Sequence, residues 1–393
     1  MSEETTPEET AKKGVSRRGL IIGGGVAAAG IAGFSLMNRG GSGSSSGDCV
    51  TTDLSDTEAT LNVSNWPAYI DEDDGDYVST LTQFQKDTGI DVTYTADVND
   101  NVEFFAKVRN QLGACQPTGR DLFVMTDWMA ARMIDAGWIQ KLDKANVPNL
   151  DKNLLSSLQG VGWDPNRDYS APWQTGFTGI AYNKSLVDEV GSISDLLTRS
   201  DLKGKVTMLT EMRDTMALIM LANGADPEDF SDDDWGNAIE TLTKARDDGQ
   251  IRAFTGNEYI NDLAAGNIAA CVAWSGDVAA AEDDNLVFLA PEEGMNIWSD
   301  NMLVPVQGQH KANAEKWIDY YYDPVVAAKL AAYVWYVCPV EGAQAEMEKI
   351  DASLVDNPLI FPTDDFLSKT HGFMALSEDK ASQYEQEFSD VIG

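Results

Sequence analysis

Histidine is almost missing from this chain. His310 and His371 are the only two among 393 residues. A histidine-built metal site or a Ser-His-Asp triad therefore has almost no raw material. Walker A, GxGxxG and CxxC sequences are absent, and the one GxSxG match, Gly43 to Gly47, falls in a Gly/Ser-rich stretch rather than between a strand and a helix, so the usual signatures of acyl transfer, phosphate cradling and redox exchange are missing. Cysteine is sparse, and Cys49, Cys115, Cys271 and Cys338 stand too far apart for a zinc knuckle. Basic residues are scarce as well: 28 Lys and Arg against 64 Asp and Glu, a net charge of −36. Such a field repels nucleic acid and anionic lipid and attracts cations. No metal, cofactor or nucleic-acid partner is expected.

What is present suits a large globular protein. Hydrophobic residues make up 43% of the chain, and its length favours two lobes over one core. The N-terminus carries Ser16-Arg17-Arg18-Gly19-Leu20 and then a Gly/Ala-rich apolar stretch to Met37. This resembles a twin-arginine export signal, with residues 1–38 as signal or membrane anchor and 39–58 as a flexible Gly/Ser tether. Export admits a Cys49–Cys115 disulfide. Cys49 as a lipid-anchor site is the competing use of that thiol.

From residue 59 the chain alternates β and α patterns. Leu61 to Asn65 reads as a strand stopped by Pro67, which leaves Trp66 and Tyr69 at the strand's C-terminal end. Helical spacing runs from Tyr77 to Gly89, strand alternation over 90–95, helix over 102–112, strand over 121–125 and helix over 128–136. Residues 162–179 read as a turn-rich crossing between lobes. Strands follow at 204–209, 268–274, 286–290 and 302–306, with helices at 214–223, 230–248, 314–322 and 324–333 and a mostly helical tail. This alternation predicts a largely parallel α/β sheet, and in such sheets ligands bind beyond the C-terminal ends of the strands.

Aromatics gather at those ends: Trp66, Tyr69, Trp128, Trp274, Trp298 and Tyr336. Acids stand beside them: Glu211, Asp214, Asp277 and Asp300. Aromatic faces attract alkylammonium groups and carboxylates accept their N–H bonds, so the combination suits an organic cation. Singly, each Trp could be core packing, and Asp214 or Asp300 a turn or cap.

Asn65-Trp66-x-x-Tyr69, Phe84-x-x-x-Thr88-Gly89-Ile90, Gly137-Trp-Ile-Gln-Lys-Leu-Asp143, Asp164-Pro-Asn-x-x-Asp168-Tyr-Ser-x-Pro172, Trp274-Ser-Gly276 and Trp298-x-Asp300 together resemble the substrate-binding proteins of spermidine/putrescine-type ABC transporters. The resemblance implies a two-lobed periplasmic-binding-protein fold of type II with a hinge. Lobe 1 is then 59–172 with 299–344, and lobe 2 is 173–298 with 345–393. It implies a non-enzymatic, extracytoplasmic monomer that captures a polyamine or related amine and delivers it to membrane permease subunits. The ligand residues carried over are Trp66, Tyr69, Thr126, Trp128, Glu211, Asp214, Trp274, Trp298, Asp300 and Tyr336. Two departures stand out: Ala68 where the family often has an acid, and Arg213 beside the acidic pair. The alternatives are a ferric-iron binder, suggested by Tyr320-Tyr321-Tyr322, another small-solute binder of the same fold, and a ligand-sensing domain.

Overall fold

The computed structural model describes Cys49 and residues 51–393. The twin-arginine pair, the apolar stretch and most of the Gly/Ser tether lie outside the described residues. Among the described residues no helix is long and apolar enough to cross a membrane.

Ten strands form the sheet: β1 (Thr60–Asn65), β2 (Asp91–Ala96), β3 (Leu122–Thr126), β4 (Ser170–Asn183), β5 (Val206–Leu209), β6 (Ile251–Thr255), β7 (Ala270–Trp274), β8 (Leu286–Leu289), β9 (Met295–Leu303) and β10 (Thr370–His371). The order is β2-β1-β3-β9-β4-β7-β5-β6, with β10 on β9 and β8 on β4. β2-β1-β3 is a parallel block, and so is β7-β5-β6. The long strands β4 and β9 pair antiparallel with each other and with the inner edge of each block. All fourteen residues of β4 are buried, as expected of a strand covered on both faces. The fold is the two-lobed α/β arrangement, with β4 and β9 as the crossings.

Helices follow the strands for local reasons. Ser79 caps the helix Thr80–Thr88, and Gly89 ends it at a left-handed φ of 70°. Asp71 and Asp73 accept from the backbone of Thr80 and Ser79, so the acidic run 71–76 holds the entry to this helix. Ser231 and Asp234 form a capping box at the head of Asp232–Asp247, whose last turn carries Lys244 and Arg246. The helix Asn101–Gly113 buries Phe104, Phe105, Val108 and Leu112 on one face.

The sequence pattern misplaces several parts. Residues 170–179 of the expected turn-rich crossing belong to one continuous strand that runs on to Asn183. The strand expected at 302–306 runs instead from Met295 to Leu303, so Trp298 and Asp300 lie in mid-strand rather than at a strand end. β6 was not anticipated, because Arg252 breaks its apolar run. Residues 51–58, assigned to a flexible tether, are bonded to the body: Gln307 N donates to Thr51 Oγ1, Leu54 N to Gln309 O and Asn313 N to Ser55 Oγ. Cys49 is disulfide-bonded to Cys115, which leaves no thiol there to carry a lipid. The helix Ala343–Ile350 packs along Pro324–Val334, across the expected lobe boundary at 344.

Candidate functional site

The C-terminal ends of both parallel blocks face one cavity. β1 delivers Trp66, Pro67 and Tyr69. β3 ends on Thr126. β5 is followed by Glu211 and Asp214, and β7 ends on Trp274, with Asp277 one helical turn on. The crossing strand β9 adds Trp298 and Asp300 from the floor. Tyr336 comes from the far side, where Trp335 ends the helix Pro324–Val334 at a φ of 59° and Val337 bridges Thr175.

Five rings form an unbroken wall. Trp66 meets Trp274 edge-on at 5.9 Å between centroids, and Trp274 meets Trp298 at 6.5 Å. Trp298 is 5.7 Å from Tyr336, and Tyr336 is 5.0 Å from Tyr69. Two glycines make room for it. A Cβ on Gly176 would lie 2.5 Å from the Trp298 ring, and one on Gly276 would lie 2.3 Å from the Tyr336 ring. Only glycine permits rings to lie this close to the backbone.

Four carboxyl groups enter the same space: Glu211, Asp214, Asp277 and Asp300. Thr126 Oγ1 donates to Asp300 Oδ1 at 2.7 Å, and Asn101 Nδ2 donates to Thr126 Oγ1 at 2.9 Å. The Asn101 backbone and side-chain N–H groups donate to Glu211 Oε1 at 2.6 and 2.9 Å. Thr178 and Trp274 Nε1 donate to Asp214 Oδ1, and Trp298 Nε1 donates to Thr178 Oγ1 at 2.9 Å. Asp277 accepts from Tyr336 at 2.8 Å, Tyr259 at 3.0 Å and Asn257 at 2.9 Å. Neither Asp214 nor Asp300 is the turn or cap residue that sequence alone allowed. Glu211 occupies an N-cap position yet makes no cap bond; its side chain reaches Asn101 instead.

Burial dominates their electrostatics. Desolvation raises Asp300 to about 7, with the Thr126 and Tyr69 hydroxyls pulling down and Asp127 and Asp214 pushing up. Desolvation also raises Asp214 and Glu211, the latter further through Asp100 and Asp214. Among the described residues no Lys, Arg or His lines the cavity. Buried carboxylates without a cation are costly, so the site has the charge pattern of a cation host.

Nine of the ten residues expected from sequence line this cavity. Trp128 does not. It lines a neighbouring void, where the Arg213 guanidinium lies 3.4 Å from its ring centroid. Asn101, Asn257, Asp277 and Pro67 line the cavity without having been placed in the site. Asp277 had been noticed beside Trp274; the two asparagines stand near helix starts, where the sequence offers only a capping signal. Ala68 is exposed, with a φ of 55°. The Tyr320, Tyr321 and Tyr322 hydroxyls bond to Thr80 and Pro172, away from the cavity. Among the described residues no cluster of three or more His, Cys, Asp or Glu could hold a metal.

Residues 79–362 match the family model of the bacterial extracellular solute-binding proteins. The chain belongs to this family. It is 31% identical over 339 residues to the putrescine-binding periplasmic protein PotF of Escherichia coli, covering 80% of this chain and 86% of that one. It is 25% identical over 338 residues to spermidine/putrescine-binding periplasmic protein 1 of Haemophilus influenzae, covering 84% and 88%. Among solved structures, a putative spermidine/putrescine ABC transporter protein from Listeria monocytogenes superposes with a TM-score of 0.74 at 26% identity, covering 85% and 99%.

Proposed function

We propose that this solute-binding protein captures a polyamine or related organic amine outside the cytoplasm and hands it to an ABC permease. The observation that carries the reading is the cavity itself: four buried carboxyl groups, five aromatic rings and, among the described residues, no lining cation. An amine at one end of the ligand meets Asp300, and an amine at the other meets Asp214 and Glu211. The methylenes between them pack on Trp66, Trp274 and Trp298. Aromatic and carboxylate contacts both favour ammonium, the former by about 0.5–2 kcal/mol each.

The ligand role of the nine lining residues and the lobe limits are part of this reading. Lobe 1 comprises 59–172 and 299–344, extended through the helix Ala343–Ile350, and lobe 2 comprises 173–298 and the remaining tail. Closure between them is hinge motion around β4 and β9. The protein works as a monomer and performs no chemistry on its ligand. Twin-arginine export and retention near the membrane are the route we assign to residues 1–48. The iron alternative finds no support in the tyrosine run, whose hydroxyls are bonded away from the cavity. Calorimetric titration of the purified protein with putrescine and spermidine tests the proposal. Saturable micromolar or tighter binding is expected, and no heat with either amine would overturn it.

A further inference from the structure

The aromatic cavity is not the end of the acidic space. Glu211 lines both this cavity and a larger, partly open void beyond it. The void lies between Trp128, the start of the helix Asn101–Gly113 and the last helix, Glu378–Ile392. Besides Glu211 its lining carries Asp100, Glu103, Glu258 and Glu385, against a single basic residue, Arg213.

Arg213 is only 6% exposed. Its guanidinium carbon lies 3.4 Å from the Trp128 ring centroid and 5.7 Å from that of Phe373, and among the described residues its Nη1 has no hydrogen-bond partner. The ion pair with Glu385 is long, at 3.9 Å, and Glu385 is shared with Arg132 at 3.4 Å. A buried guanidinium so incompletely bonded is expensive. It holds the place where a ligand's ammonium would find an aromatic face and surrounding carboxylates.

We infer that Arg213 limits the length of the ligand: it fills the ammonium seat on Trp128, so a chain with an amine at each end fits the cavity and a third ammonium beyond Glu211 meets a resident cation. The inference rests on the amine-binding reading. Two cations competing for one aromatic face repel each other, whereas a diamine that stops at Glu211 avoids the contact.

The test is the ratio of dissociation constants for spermidine and putrescine, measured by calorimetry on the purified protein. The wild-type ratio is expected to exceed tenfold. In Arg213→Gln and Arg213→Met, which remove the charge, the ratio should fall by at least tenfold. In Arg213→Lys, which restores a cation, it should stay within threefold of wild type. Circular dichroism establishes that each variant is folded, and the use of two neutral variants guards against one that is not. A wild-type preference for spermidine overturns the inference, and so does an unchanged ratio in a folded neutral variant that still binds putrescine. Failure of the wild type to bind either amine instead overturns the amine reading on which it stands.

Discussion

Lowering the pH from 8 to 5.5 will weaken amine binding, and Asp300 sets the scale. Its carboxyl is pushed up to about 7, chiefly by burial. An ammonium placed against it is an opposite charge and lowers that value in the complex. Binding therefore favours the ionised form. Affinity is fully present above pH 7 and is lost as pH falls through 7 toward the lower value of the complex. If only the ionised form binds, affinity drops from its pH 8 value about 10-fold by pH 6 and about 30-fold by pH 5.5, or about 1.4 and 2 kcal/mol. Glu211 and Asp214, also raised by burial, steepen the fall. Titration calorimetry at each pH, run in two buffers of different ionisation heat, gives both the affinity and the protons released. About half a proton per ligand is expected from Asp300 at pH 7. Asp300→Asn should cost more than about 1.5 kcal/mol at pH 8 and leave a shallower pH profile. A constant affinity from pH 6 to 8, with equal heats in the two buffers, would refute the reasoning.

The ligand-free protein should respond to pH in the opposite direction. Asp300 at about 7, Asp127 at about 6, Asp214 and Glu211 are all raised on folding. The folded state therefore holds more protons than the unfolded one between about pH 4 and 7, and thermal melts should rise from pH 8 to 5.5; a fall would contradict it. Gly276→Ala puts a methyl into the Tyr336 ring. It should cost about 1–3 kcal/mol in urea unfolding and weaken amine binding; wild-type behaviour in both would show that the ring is free to move. Replacing Cys49 and Cys115 together by Ser opens a link across 66 residues of sequence. Denaturant unfolding should show a loss of about 2–4 kcal/mol, and a dithiol reductant should have no further effect on the variant.

The parallel blocks were legible because their strands are apolar runs bounded by glycines and caps. Gly89 and the Ser231 to Asp234 cap mark their helix ends without tertiary help. The crossings were harder to read. β4 contains Pro172, Gly176 and Gly179, which read as turn residues, yet Gly176 and Gly179 are there because Trp298 and Phe288 lie against the strand. β9 carries Asn296, Ser299, Asp300 and Asn301, polar in sequence but buried through bonds made across the fold. Nine of the cavity-lining residues were legible, eight as aromatic or acidic types and Thr126 through the family resemblance alone. That Trp128 lines the neighbouring void was not legible, because its ring's partner, Arg213, stands 85 positions later and no local pattern pairs them. Asn101 was missed because its hydrogen bonds to Thr126 and Glu211 join segments that only the fold brings together.

The Cys49–Cys115 bond also has a mechanical consequence. Cys115 closes the helix Asn101–Gly113, whose Phe104 packs on Phe123 of β3. The chain after Cys49 is then bonded to residues 307–313, close to the β1–β3 block. Tension applied ahead of Cys49 is therefore carried by a covalent staple into the β2-β1-β3 half alone. The β7-β5-β6 half bears none of that load directly, so any movement between the halves is left unloaded.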